Sequence, residues 1–184
     1  MNNSAMSPHL FSKLKKIDET DDFEIYEFIP SIIKAFPFMV EKISIPYRFR
    51  CIQEYFVGYK VFYIRKNGIW GGYCITSNGS NPRYYFGTKE DITFGRYYIV
   101  PELRGQGLAL KMIYWVLNDS GLKYKDAYAY VHEGNIASHA TLRKLGAVPV
   151  GCFDKVGRLR RIVMNNHGKY TLYKYRRMID PKEG

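Results

Sequence analysis

The residues from Tyr97 to Ala109, YYIVPELRGQGLA, place a cation and two glycines between an apolar strand and an apolar helix. A helix start presents about four main-chain N–H groups without intrahelical partners, and the helix dipole makes that end attractive to anions. Gly105 and Gly107 carry no Cβ, so a bulky anion can approach the backbone there. Arg104 adds a guanidinium fork that matches phosphate oxygens. Arg104, Gly105, Gln106, Gly107, Leu108 and Ala109 together predict a pyrophosphate cradle. The P-loop is excluded because its Gly-Lys-Ser/Thr ending is absent. The Rossmann spacing G-x-G-x-x-G is absent too. The plain alternative is a glycine turn that only joins strand to helix; the offsets of Pro101, Arg104, Gly107 and Ala109 favour the cradle.

The elements that must hold this turn are legible as changes of hydrophobic period. Phe23 to Phe28 alternates with period two, as do Ala127 to His132, with Ala127, Ala129 and Val131 on one side and Tyr128, Tyr130 and His132 on the other. Val61–Arg65 and Ile69–Thr76 flank Lys66-Asn67-Gly68, a strong hairpin signal. Ile92–Val100 is a further strand, ended by Pro101. From Ala109 the apolar positions Met112, Ile113, Val116 and Leu117 lie on one helical face, with Gly121 to end it. Asn135 and Gly146 bracket a second helix as N-cap and C′ residue. Val148–Phe153 and Tyr170–Tyr175 read as strands, and Ser31 to Ile43 as short helices broken at Pro37. Residues 1–22 are expected as an arm with a short helix around Phe11 to Ile17, and residues 23–184 as a single domain. Hairpins mixed with crossovers argue for a mixed α/β sheet with helices on both faces.

Composition narrows the class. The chain has 184 residues, 46% of them hydrophobic, which is enough for one real core. Its three cysteines have no CxxC spacing, so neither a disulfide framework nor a cysteine-built metal site is expected. No run reaches the roughly 18 apolar residues of a membrane span, and the N-terminus lacks the layout of a secretory signal. A cytoplasmic protein with no membrane partner is the expectation. The net charge of +11 predicts attraction to something anionic without saying what.

The sequence resembles the GCN5-related N-acetyltransferase superfamily. The superfamily's Q/R-x-x-G-x-G/A motif appears as Arg104-Gly105-Gln106-Gly107-Leu108-Ala109, preceded by strand residues and a proline. A second motif appears as Asn135-Ile136-Ala137-Ser138, then Leu142 and Lys144-Leu145-Gly146, with Ala147 where phenylalanine is usual. The resemblance implies a mostly antiparallel central sheet with one parallel, splayed strand pair. It implies acetyl-CoA, or another acyl-CoA, as acyl donor, with no metal. The donor would lie between Tyr97–Val100 and Tyr128–His132. Its contacts would come from the backbone of Ile99 and Val100, the turn from Arg104 to Ala109, and Asn135 with Ser138. Asn135 and Ser138 also have a plain reading as helix cap and helix-face packing.

The resemblance implies transfer of an acetyl group to a primary amine of a small molecule, anionic acceptors included, by direct attack on the thioester. A lysine-like amine has a pKa near 10.4 and must lose a proton first, whereas a thiol near 8.5 leaves readily. The N–H of Val100 is the expected oxyanion donor. The tyrosine that many relatives carry seven residues after the motif asparagine is here Leu142. The glutamate that many relatives carry on one of the two splayed strands as base is also absent, with Tyr130 where some have it, so His132 is the candidate base, with Tyr130 and Tyr98 as acid or relay; Glu133, Glu90 and Asp91 are weaker candidates. Lys155 to Arg177 carries eight Lys or Arg and no acid, with Tyr170, Tyr173 and Tyr175 interleaved. A solvated face is the leading reading of that stretch, ahead of an electrostatic guide for an anionic substrate and, last, a nucleic-acid surface with stacking tyrosines. A non-catalytic CoA-binding or nucleic-acid-binding module is the alternative to an enzyme, and a homodimer is left open.

Overall fold

The structure is a computed structural model that describes residues 14–20, 22–32, 45–82, 84, 86–157 and 161–177. The two β-rich runs around Asn67-Gly68 form β3 (Tyr59–Lys66) and β4 (Ile69–Asn78). Asn67 and Gly68 both have positive φ, 49° and 76°, as a type I′ turn requires. Before them come β1 (Leu14–Glu19), β2 (Glu24–Phe28) and helix α1 (Ile45–Val57); after them come β5 (Ile92–Ile99), a 3-10 turn at Pro101–Leu103 and α2 (Leu108–Asn118). The chain continues through β6 (Ala127–His132), α3 (Ile136–Leu145), β7 (Val148–Val156), β8 (Arg161–Met164) and β9 (Tyr170–Tyr175). These strands form one sheet in the order β1-β2-β3-β4-β5-β6-β9-β7-β8. All neighbours among the described residues are antiparallel except β5 and β6.

Strand alternation sends Phe62, Ile64 and Cys74 to the face that packs Leu108, Met112 and Leu142 of α2 and α3. Val61, Tyr63 and Ile75 go to the opposite face, where Tyr55 of α1 packs. Helices therefore cover both faces, as expected. Residues 14–19 differ from expectation: Leu14–Ile17 is strand rather than helix, and β1 pairs with β2 from Leu14↔Phe28 to Glu19↔Glu24. Residues 11–13 of the expected helix, and 33–43 of the helices expected between Ser31 and Ile43, lie outside the described residues. Tertiary pairing decides β1: Lys16 bonds Glu24 across the strands at 2.8 Å, Trp115 Nε1 donates to the Asp18 carboxylate, and Ile17 packs on the core.

Two devices shape the centre of the sheet. Ile75 pairs with Arg96 and Thr76 with Phe94, so Gly95 is an extra residue in β5, a bulge at φ +119°. A Cβ on Gly95 would stand 3.2 Å from Ala129 Cβ on β6. The parallel contact is only two residue pairs long, Ile92↔Ala127 and Thr93↔Tyr128, after which the strands part. Its closed end is tied by Ile92 N–H to Asp126 C=O (3.0 Å), by Lys125 N–H to Glu90 C=O (2.8 Å), and by Asp126 N–H to buried Asp91 Oδ1 (3.1 Å). Asp126 in turn accepts from Lys174 Nζ (2.7 Å) and Arg176 Nε (2.9 Å), which fastens β6 to the end of β9.

Gly95→Ala is expected to lose about 1–3 kcal/mol in denaturant unfolding, because a side chain there meets both a strained φ and β6. Burial raises the Asp126 pKa, but the bonds from Arg176 and Lys174 outweigh it and the net shift is downward. A depressed carboxylate stabilises the fold above its ordinary range and loses that contribution as pH falls through the folded value. Stability is expected to drop below about pH 4, with a shallower acid limb in Asp126→Asn, read by thermal melts across pH.

Candidate active site

The turn after β5 is built by φ angles that only glycine takes readily. Gly105 (φ +78°) and Gly107 (φ +73°) are both left-handed, and a Cβ on either would meet nothing within 4 Å. Gly107 is the N-cap of α2, and among the described residues no side chain caps that helix. The first amides of α2 therefore open onto empty space, which fits an anion of diphosphate size. The lining residues Ile99, Arg104, Gly105, Gly107, Leu108 and Ala109 share one cleft of about 1360 Å³ of open space with Asn135 and Ser138. Tyr98 is at the mouth of this cleft, stacked on Tyr73 (ring centroids 6.0 Å apart) with the Arg104 guanidinium 5.5 Å from its ring. Arg104 Nε donates to Ile99 C=O at 3.0 Å, so part of its fork is held by the strand it follows. Gln106 faces away: its side chain bonds Lys66 Nζ (3.1 Å) and it does not line the cleft.

Val100 is a correction. Its N–H donates to Gly71 C=O at 2.9 Å, so it is not a free oxyanion donor. In an antiparallel ladder, bonded positions alternate. With Val100 bonded toward β4, the N–H groups of Tyr97 and Ile99 point the other way, to the side from which β6 has departed.

The gap between β5 and β6 holds about 580 Å³ and is lined by Gly95, Tyr97, Tyr130 and His132 from the strands and by Asn135, Ser138 and Leu142 from the α3 side. Tyr97, Asn135 and Ser138 also line the cleft, so the two spaces adjoin. Asn135 is the N-cap of α3: its Oδ1 accepts from Ser138 N–H at 3.1 Å, the plain reading realised beside the functional one. Across the sheet, a third space of about 370 Å³ is lined by Ile75, Ser77, Tyr84, Thr93, Arg96 and, again, Gly95 and Tyr130. The bulge is thus the point where the two faces of the sheet communicate.

His132 ends β6, exposed, with Tyr130 on the same strand face. Its Nδ1 accepts Gly134 N–H at 3.2 Å and its ring meets Tyr170 edge to face at 5.2 Å. Tyr130 packs against Phe153 and Tyr170 and carries the Lys155 ammonium 3.9 Å from its ring centre. Glu133 is exposed beside His132, whereas Asp91 is buried and used in the closed end of the strand pair.

Several cleft residues on α3 are given no role by the sequence, and two of them, Ala140 and Thr141, belong to neither motif. Ala137, Ala140, Thr141 and Lys144 line the cleft from α3. Their i, i+3, i+4, i+7 spacing behind Asn135 is the signal that marks them. Glu54 of α1 is 1% exposed and ion-paired with Arg96, with its Oε1 buried and without a hydrogen-bond partner among the described residues. The Tyr97 hydroxyl is likewise buried without a partner among them. Cys74, opposite Tyr97 in the ladder, is no nucleophile: burial pushes its thiol up to about 12.

The basic end of the chain is largely used internally. Lys174 and Arg176 pair with Asp126, Arg177 donates to Asn118 C=O at 2.8 Å, and Lys155 lies over Tyr130 and Tyr170. Tyr173 and Tyr175 are buried, so they are not open for base stacking. Arg158 and Arg160 fall outside the described residues. Among the described residues no helix is long and apolar enough to cross a membrane.

No protein-family model and no curated protein matches the sequence. Solved structures do match. One is yncA of Salmonella typhimurium, determined with its cofactor acetyl-CoA, at 20% identity over 68% of this chain and 69% of that one, TM-score 0.50. An acetyltransferase of Thermus thermophilus matches at 19% identity over 76% and 79%, TM-score 0.53. The microcin C7 self-immunity acetyltransferase MccE, in complex with acetyl-CoA and AMP, matches at 16% identity over 86% and 94%, TM-score 0.55. At these identities the likeness is one of fold.

Proposed function

The chain has the fold of the GCN5-related N-acetyltransferases, and on that premise we propose that it transfers an acetyl group from acetyl-CoA to the primary amine of a small molecule. One observation carries the reading: the gap between the splayed strands continues into the glycine-turn cleft on one face and meets a separate cavity at Gly95 and Tyr130 on the other. Two substrates can then reach one point from opposite sides, which is what a direct displacement needs. The cleft supplies backbone donors, and the bulge supplies access.

In this reading the first amides of α2, with Gly105 and Gly107 leaving room, hold the diphosphate of the donor. Arg104 contributes its remaining guanidinium nitrogens, and exposed Lys144 adds charge on the α3 side. The pantetheine arm runs into the gap, where the outward N–H groups of Tyr97 and Ile99 meet it and the oxyanion that forms on attack. The acceptor amine arrives from the cavity lined by Tyr84, Arg96 and Tyr130. It comes as an ammonium and must shed a proton before it attacks. Tyr130 borders the attack point; Tyr98 closes the donor side. His132 lines the gap as the candidate proton acceptor, but its Nδ1 lone pair is taken by Gly134 N–H, so that bond must open before the ring can accept. Loss of the proton to water through the open gap competes with it.

The test is release of CoA thiol from acetyl-CoA with a panel of amines: glucosamine, spermidine, tyramine and glycinamide. Thiol release that depends on the amine is the expected result; binding of acetyl-CoA without release across the panel overturns the enzyme in favour of a CoA-binding module. Gly107→Val is expected to raise the KM for acetyl-CoA by on the order of tenfold or more while leaving the amine KM near its original value, and Arg104→Ala to do so more weakly, since one of its nitrogens already serves Ile99. His132→Ala is expected to lower kcat at neutral pH by less than the ~100-fold of a committed general base, read from the pH profile of both proteins.

A further inference from the structure

Lys155 stands on β7 two residues after Phe153, so strand alternation puts both side chains on one face. That face carries the aromatic wall: Phe153 meets Tyr130 edge to face and stacks on Tyr170. The Tyr130 and Tyr170 rings stand at 82° to one another and form a corner. The Lys155 Nζ sits in that corner, 3.9 Å from the Tyr130 ring centre and 4.1 Å from that of Tyr170. Both rings line the gap between β5 and β6, and Tyr130 also lines the acceptor cavity. A primary amine of the chain itself is therefore lodged against the wall of the space where thioester and acceptor meet.

Other lysines around the site are placed differently. Lys174 is ion-paired with Asp126 at 2.7 Å, at the closed end of the strand pair, and Lys144 lines the donor cleft from α3. Lys155 is half-buried, not sealed, and its flexible four-carbon stem can carry Nζ off the rings. The attraction between an ammonium and a ring face is electrostatic and belongs to the charged form. Loss of the proton thus does two things at once: it releases Nζ from the corner, and it supplies the lone pair that attacks.

We propose that Lys155 is a self-modification site: the thioester held in the gap acetylates the Lys155 Nζ of the same molecule. The inference rests on the acetyl-transfer reading above. The ammonium first gives one proton to water. The neutral nitrogen bonds to the thioester carbonyl carbon, and the C–S bond breaks with its electron pair on sulfur. The nitrogen's surplus proton passes through water to that sulfur. Ammonium and thioester are consumed; amide, thiol and one solvent proton are formed. The acetylated side chain is neutral, so the modification removes a cation from the acceptor side of the sheet.

The experiment incubates the full chain, cleared beforehand with a lysine deacetylase, with acetyl-CoA deuterated in the acetyl group, and follows each lysine by peptide mass spectrometry. Exposed Lys89 and Lys123 report uncatalysed acetylation in the same sample. Lys155 is expected to gain label on the order of 100-fold faster than either, with a rate constant at saturating acetyl-CoA that does not change when the protein is diluted. Desulfo-CoA, which fills the donor cleft without a thioester, is expected to slow Lys155 at least about tenfold and to leave Lys89 and Lys123 unchanged. Label on Lys155 that is no faster than on Lys89 and Lys123, or indifferent to desulfo-CoA, overturns the proposal. So does a rate constant that rises with protein concentration, which places the reaction between two molecules. Wild type that releases thiol with a panel amine but leaves Lys155 unlabelled overturns the self-acetylation alone. No label on Lys155 and no thiol released with any amine overturns the acetyl-transfer reading itself.

Discussion

The structure depends on a parallel strand contact that is made and then abandoned. β5 and β6 share two residue pairs and separate, while β5 stays bonded to β4 on its other edge. An unpaired strand edge inside a sheet is costly, because each N–H and C=O there has given up water. The fold tolerates it because the closed end is held hard, by Asp91, by Asp126 and by the cations at the end of β9 that pair with Asp126. Gly95 then turns the strand at the point where the edges part. A side chain at that position would reach β6 and fill the opening. The result is a row of main-chain donors, from Tyr97 and Ile99, with no protein partner assigned to them by the ladder.

The division of labour between the faces follows from the same split. The α2 and α3 side has small residues, glycines and a helix start, which suit a long, charged, flexible donor. The α1 side has aromatic rings, with Tyr84, Phe86, Tyr128, Tyr130, Phe153 and Tyr170 packed in tilted, edge or stacked contacts. Stiff rings with an apolar body and a polar tip make good walls for a small acceptor. The net charge of +11 is less free than it looks, since Lys174, Arg176, Arg177 and Lys155 are engaged within the protein.

Where sequence expectation and structure part, the reasons are physical. Helix α1 is not among the expected elements, and its partition runs against the usual one, with polar Glu54 buried on Arg96 while Phe49 and Phe56 are exposed. Strand β1 has no strong propensity of its own and exists because β2 offers it an edge. The Val100 amide reads as free in the sequence because a strand's residues do not say which of its two edges is paired. Once Gly71 takes Val100, alternation hands the open edge to Tyr97 and Ile99.

What could be read from residue order alone is the local grammar: the Asn67-Gly68 hairpin, the strand Ala127–His132, the capped helix between Asn135 and Gly146, and the glycine turn before Leu108. Each of these is set by φ preferences, hydrophobic period or capping within about ten residues, so near neighbours suffice to specify it. Folding was needed to make Gly95 a bulge and not a strand interior, to leave buried oxygens of Tyr97 and Glu54 unpaired among the described residues, and to carry the gap to cavities on both faces. Those depend on register and on which chain segments meet across the sheet, and contacts between distant residues leave no period in the sequence to read.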